Sequence, residues 1–178
     1  MKVSKVRLSD LEKLREIGID SYVPHYSHMW QPNGLEWYLE RCFSDEFLQK
    51  ELIDPNVEYY IISIAAINIG ILKLVLCKPV PDSKIENALY LEKIYFIKEW
   101  IGKGIGRQLI DFACERAKEL NRECIWLVAM DTAEKPVLAY QNAGFTIYKH
   151  QFLDFELLKE EYKGTFVMIN CFNKINAN

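Results

Sequence analysis

Residues 91–117, LEKIYFIKEWIGKGIGRQLIDFACERA, constrain this chain more than any other stretch. They read as an apolar strand, a glycine-dense turn and an amphipathic helix. Three of the chain's eight glycines, Gly102, Gly104 and Gly106, fall within five residues there. Glycine at that density lets backbone approach a ligand closely and supplies left-handed conformations. The helix that follows aims its unpaired N–H groups and positive dipole end into the turn, an arrangement suited to a phosphate or pyrophosphate. The spacing excludes the two common nucleotide loops. Gly106 is followed by Arg107 and Gln108, so the Lys-Ser/Thr pair of a P-loop is missing. The G-x-G-x-G order and its place past the chain's midpoint do not fit a dinucleotide fingerprint either.

The rest of the composition narrows the class. A chain of 178 residues, half of them apolar, can bury a substantial core as one domain over residues 1–178. A formal charge of −3 gives no general pull toward nucleic acid. No segment reaches the ~18 uninterrupted apolar residues of a membrane span, and the N-terminus has no apolar signal core. Cys42, Cys77, Cys114, Cys124 and Cys171 are odd in number and show no C-x-x-C spacing, so they read as buried thiols of a reduced, cytoplasmic protein.

Taken in order, residues 2–8 alternate as a short strand, and Ser9 with Glu12 makes a capping-box pattern for a helix ending near residue 22 at Pro24. The aromatic-rich stretch 24–34 has no clean period. Two short helices follow, 35–43 and 45–53, the second capped by Ser44. Residues 58–66 and 69–77 form an antiparallel hairpin turning near Asn68. The strand 88–97 opens the glycine segment, and its helix, 104–120, places Ile105, Leu109, Phe112, Ala113 and Ala117 on one face. The continuous apolar strand 124–130, reached by that helix, should lie parallel to its predecessor in a covered sheet. A short helix over 135–142 and two strands, 145–156 and 165–173, close the chain. The apolar last strand would suit pairing across a homodimer if it lies at an edge.

Gly104 and Gly106 occupy the two small positions of [Q/R]-x-x-G-x-[G/A], the acyl-CoA-binding motif of the GCN5-related N-acetyltransferase (GNAT) family, which this segment resembles. Ile101 stands at the Gln/Arg position, a departure that removes a side chain but no backbone donor. The hairpin with Ile69-Gly70-Ile71 and the run Ala139-Tyr140-Gln141-Asn142-Ala143-Gly144-Phe145 match further family segments in the same order. The resemblance thus covers nearly the whole chain. It implies an α/β (α+β) fold: a mixed, mostly antiparallel twisted sheet with a central parallel strand pair and helices on both faces. Within the family, LEKIYF and WLVAMDTAEKPVLAYQNAGF resemble the polyamine (PaiA-type) branch.

The resemblance implies transfer of an acetyl group from acetyl-CoA to a primary amine of a small molecule. Residues 91–117 would be its acyl-CoA-binding core and 24–54 an acceptor-side flap. The backbone of Tyr95, Phe96 and Ile97 would pair with the pantetheine arm. The amides of Gly102, Lys103, Gly104, Ile105, Gly106 and Arg107 would cradle the pyrophosphate, with Ala133, Lys135 and Pro136 on the cofactor's far side. Ala133 stands where family members often carry Asn. Tyr140 matches the family tyrosine near the sulfur and is the candidate acid for the leaving thiolate.

Read from the residues, Glu92 is the candidate base, a carboxylate in an apolar strand that shares a face with Ile94 and Phe96 and should have a raised pKa; Lys93 should point the other way. His25, His28 and Trp30 are candidates to line the acceptor cleft, and the two histidines lack the third ligand a metal site would need. A protein or peptide acetyltransferase and a catalytically silent acyl-CoA sensor are the alternative readings.

Overall fold

A computed structural model of the chain describes residues 1–172; Asn173, the last residue of the expected final strand, lies outside the described residues. Seven strands form one sheet: β1 (Lys2–Lys5), β2 (Val57–Ile64), β3 (Ile67–Val75), β4 (Ala88–Phe96), β5 (Cys124–Met130), β6 (Thr146–Phe152) and β7 (Gly164–Cys171). Their order across the sheet is β1-β2-β3-β4-β5-β7-β6. The pair β4–β5, joined through the helix that follows β4, is parallel as expected, and every other pair is antiparallel.

Helices cover both faces. On one side α4 (Ile105–Glu119) buries Ile105, Leu109, Ile110, Ala113, Cys114 and Ala117 against Ile62, Leu72, Leu89, Ile125 and Leu127. The helix α5 (Glu134–Asn142) packs on the same core through Val137 and Tyr140. On the other side α1 (Leu11–Tyr26), α2 (Gly34–Phe43) and α3 (Asp45–Ile53) enclose a second core of Leu14, Ile17, Tyr22, Phe43, Leu48, Tyr59 and Ile71. Burial of these aliphatic and aromatic side chains, each worth about 1.5–3 kcal/mol, fixes which face each helix takes.

Several local expectations are corrected. The helix α1 starts two residues after Ser9, behind a short 3-10 turn where Asp10 accepts from the Arg7 amide, and it runs through Pro24 to Tyr26. Pro24 removes one hydrogen bond to the carbonyl of Asp20, an exposed residue whose carbonyl water can satisfy. The β2–β3 turn is Ala65-Ala66, both left-handed, with Asn68 already in β3. The strand β7 lies between β5 and β6, so its backbone is paired on both sides and it offers no edge to a second copy. Cys124 and Cys171 face each other across β5 and β7 and are joined by a disulfide, against the expectation of five free thiols. Of the remaining three, Cys42 and Cys114 are buried and Cys77 is exposed. Among the described residues no helix is long and apolar enough to cross a membrane.

Candidate active site

The strands β4 and β5 are paired only from Ala88–Cys124 to Leu91–Leu127. Beyond that point β4 follows β3 while β5 follows β7, and the sheet opens between them. The cause is a bulge in β4. Lys73 of β3 faces Lys93 and Leu74 faces Leu91, so Glu92 is an extra residue without a partner. An extra residue bends its strand and raises the local twist.

The bulge also decides which side chains meet. It turns Glu92 and Lys93 to the same side of the sheet, toward α1–α3, while Ile94 and Phe96 pack on the α4 side. The strict alternation expected from sequence, with Glu92 beside Ile94 and Lys93 opposed, fails for that reason. Glu92 Oε1 accepts from Lys73 Nζ at 2.8 Å and from Lys93 Nζ at 2.5 Å. Lys73 also donates to Glu51 at 2.7 Å, and Glu51 accepts from the Tyr59 hydroxyl at 2.5 Å. Burial pushes the Glu92 carboxyl up, but Lys93 and Lys73 outweigh it and bring it down to about 2. Glu92 is therefore ionised at neutral pH with little affinity for a proton. The raised pKa expected of a base is reversed.

A cavity of about 710 Å³ occupies the opening. Glu92, Lys93 and Tyr95 lie on its β4 side, Val128, Ala129 and Met130 on its β5 side. Tyr22, Tyr26, Trp30 and Tyr38 wall it from the α1–α3 side, whereas Ala133, Pro136 and Tyr140 reach it from the α5 side. It thus communicates with both faces of the sheet. Burial, with Tyr26 adding to it, pushes the Tyr140 phenol up, so the hydroxyl keeps its proton. Among the described residues that hydroxyl has no hydrogen-bond partner, and its ring is held edge-on to Phe145 at 5.9 Å.

The glycine turn leads from the end of β4 into α4. Gly102 and Gly104 take φ of 78° and 75°, left-handed values that a side chain would strain. Gly106 is different: it is helical, and a Cβ there would meet only Phe96, at 3.9 Å. Among the described residues nothing requires glycine at this position, and its bareness leaves the first amides of α4 uncovered. No acidic residue sits in that first turn, and Ile105 is buried, anchoring the turn to the core. This cradle fits a pyrophosphate bound by backbone N–H groups at a helix N-terminus.

The other expected residues are placed as follows. The Ile97 amide is committed to the Ile69 carbonyl at 2.9 Å. Because successive residues turn their backbone to alternate sides, Phe96 faces the opening, but its carbonyl accepts from His25 Nε2 at 3.1 Å. His25 thus ties the end of α1 to β4 and does not line the cavity. His28 stands edge-on to Tyr162 at 5.3 Å, also outside it, whereas Trp30 lines it. Arg107 donates to Asp111 at 2.9 Å and to the Asn142 carbonyl at 3.0 Å, linking α4 to the end of α5. Lys103 Nζ lies 4.4 Å above the Trp100 ring, and Lys135 is exposed outside the cavity. Sequence reasoning missed Arg41, Glu51 and Lys73 as cavity residues. Lys73 in ILKLV carried a signal: a lysine flanked by buried aliphatics in a strand needs a carboxylate nearby.

A sheet split beside a bulge, with bare helix amides on one face and a half-open cavity reaching the other, suits a ligand that carries a pyrophosphate and meets a second molecule in the opening. Residues 13–145 match the model of the acetyltransferase (GNAT) family, and the chain belongs to that family of acetyl-CoA-dependent N-acyltransferases. It is 25% identical over 154 residues to an uncharacterized N-acetyltransferase in the pepI 3' region of Lactobacillus delbrueckii subsp. lactis, covering 86% of this chain and 89% of the relative. Among solved structures it is similar to the PaiA N-acetyltransferase of Thermoplasma acidophilum in complex with coenzyme A, with a TM-score of 0.74 at 19% identity over 96% of this chain and 98% of that one. A chimera of the spermidine N-acetyltransferase SpeG from Vibrio cholerae and hSSAT gives a TM-score of 0.70 at 19% identity, covering 96% of this chain and 94% of that one. At these identities the structural likeness establishes the fold.

Proposed function

We propose that this chain transfers an acetyl group from acetyl-CoA to the primary amine of a small molecule, with both bound at once. The observation that carries the reading is the cavity through the split sheet, which brings the α5-side Tyr140 hydroxyl and the α1–α3 pocket to one opening. Acetyl-CoA supplies an activated acyl group as a thioester. The amides of residues 102–107 would bind its pyrophosphate, and the opening-facing backbone of β4 at Phe96 would receive the pantetheine arm. An N–H of β4 left without a β5 partner would stabilise negative charge developing on the carbonyl oxygen, at little reorganisation cost. Tyr140 would donate its proton to the departing thiolate. With its low pKa, Glu92 would serve to hold Lys73 and Lys93 in place, and the amine would lose its proton to water. Helices α2 and α3, with the end of α1, would form the acceptor-side flap of what we take to be a single domain.

The polyamine acetylation named for the SpeG neighbour makes a polyamine one acceptor to be tested. The test is thiol release from acetyl-CoA against a panel of amines and a short peptide. Amine-dependent release supports the reading. Coenzyme A binding without release for any acceptor overturns it in favour of a silent binding domain.

A further inference from the structure

The charge of the acceptor side of the cavity does not match a polycation. Four lining side chains are basic, Arg41, Lys73, Lys78 and Lys93, and two are acidic, Glu51 and Glu92. Both carboxylates are spent on neighbours: Glu51 on Lys73 and the Tyr59 hydroxyl, Glu92 on Lys73 and Lys93. A buried polyamine would need acceptors for each distal ammonium, because an unpaired buried charge is costly. Among the described residues, each lining carboxylate already has a basic partner, and the one oxygen of the two that accepts no hydrogen bond is Glu92 Oε2, on a group that already faces two ammonium groups.

The cations are less completely matched. Lys93 is 5% exposed, and its ammonium, with three donors, meets one acceptor among the described residues, Glu92 Oε1. Arg41 and Lys78 have no carboxylate partner among the described residues and lie against rings, Arg41 at 5.5 Å from Trp37 and Lys78 at 4.3 Å from Tyr90. The aromatic wall does not restore a preference for cations. Tyr22 is stacked on Tyr26 at 4.7 Å and on Tyr38 at 4.5 Å, so these ring faces are turned on one another.

From this arrangement we infer that the acceptor is a small amine that also carries an anionic group, a carboxylate or a phosphate, bound at Lys93 in the field of Arg41 and Lys78. The inference rests on the acetyl-transfer reading above and specifies its substrate class. An anion at Lys93 supplies the acceptors that its buried ammonium lacks and offsets the excess of basic side chains. Lys93 stands just past Leu91, the last β4 residue paired with β5, so an acid held there lies at the mouth of the opening. A polyamine in the same place would bring more positive charge to a wall whose basic side chains already outnumber its carboxylates four to two.

Matched acceptors test it: lysine against cadaverine, ornithine against putrescine, and phosphoethanolamine against ethanolamine, with spermidine alongside, in the acetyl-CoA thiol-release assay. The expected result is a preference of about 10-fold or more in kcat/KM for the anionic member of at least one pair, as a charge-assisted hydrogen bond would give. The pair that shows it tells carboxylate from phosphate. Preference for the members that lack the acid group, or for spermidine, throughout overturns the inference while leaving acetyl transfer intact. In Lys93→Met, and in the exposed-site variant Arg41→Gln, the preference ratio should collapse through KM; an unchanged ratio in both overturns it.

A second readout needs no turnover. Titration of N-acetyl amino acids, N-acetyl phosphoethanolamine and the matching neutral amides into the protein loaded with coenzyme A should show binding of the acids alone. Equal binding of acids and amides overturns the inference. If no amine is acetylated yet the acids bind, the acetyl-transfer reading fails and the anion site stands.

Discussion

Glu92 and Lys93 are consecutive in a strand, yet their side chains meet, Oε1 to Nζ at 2.5 Å, on one face of the sheet. Consecutive residues of a regular strand point to opposite faces. The bulge that brings these two together also parts β4 from β5, so the ion cluster and the cavity have one origin.

Replacing Glu92 by Gln removes the shared acceptor of two buried ammonium groups. Loss of one partner of a buried pair costs about 3 kcal/mol or more, so the urea midpoint should fall with the m-value unchanged. A carboxylate whose pKa lies near 2 is not the proton acceptor at neutral pH. The acidic limb of the kcat/KM profile should therefore keep its midpoint in Glu92→Gln; a limb that disappears would restore Glu92 as the base.

Tyr140→Phe removes a hydroxyl that has no partner among the described residues while keeping the ring against Phe145. Thermal stability should stay close to that of the parent. Thiol release should drop about 100-fold in kcat, the range of a lost general acid, with the KM for acetyl-CoA little changed.

Gly106→Ala separates folding from binding. Among the described residues the added Cβ has only Phe96 within 4 Å, at 3.9 Å, so the helix should gain up to about 1 kcal/mol from alanine's higher propensity. The same methyl group would stand over the α4 amides. Calorimetric titration should show coenzyme A bound about 10-fold or more weakly, as expected for a lost charge-assisted hydrogen bond.

Glu58 is a second buried carboxylate, held by Arg116 at 2.8 Å, Lys5 at 2.7 Å and the Tyr60 hydroxyl at 2.7 Å. Burial pushes its carboxyl up, but these partners outweigh it and bring it from 4.5 to about 2. A lowered folded pKa stabilises above the unfolded value and is lost as pH falls through the folded one. Stability should thus be level above about pH 5 and decline by about 3 kcal/mol from this group alone toward pH 2. Glu58→Gln should flatten that decline, with Glu92 leaving a residual slope; urea midpoints against pH measure both.

The Cys124–Cys171 bridge is open to direct counting. Denatured without reductant, the protein should react with a thiol reagent at three positions, Cys42, Cys77 and Cys114, and after reduction at all five cysteines of the sequence.

By itself the sequence determined the order of elements and the glycine turn that leads into α4. Apolar runs, helical periodicity and glycine placement are local signals, and they marked all seven strands, the five helices, the turn at residues 102–106 and Tyr140 on its short helix. The family motifs lie in those same local stretches. What tertiary structure decided depends on pairing between distant strands. Whether β4 carries a bulge is set by its register with β3, and only that register puts Glu92 on the face of Lys73 and Lys93 and reverses its pKa. Cys124 and Cys171 become neighbours only because β7 enters the sheet beside β5. His25 is drawn to the Phe96 carbonyl because α1 continues through Pro24. The charge balance of the cavity was likewise beyond sequence reading, since it sums side chains from α2, α3, β3, β4 and the segment after β3 that only packing brings to one wall.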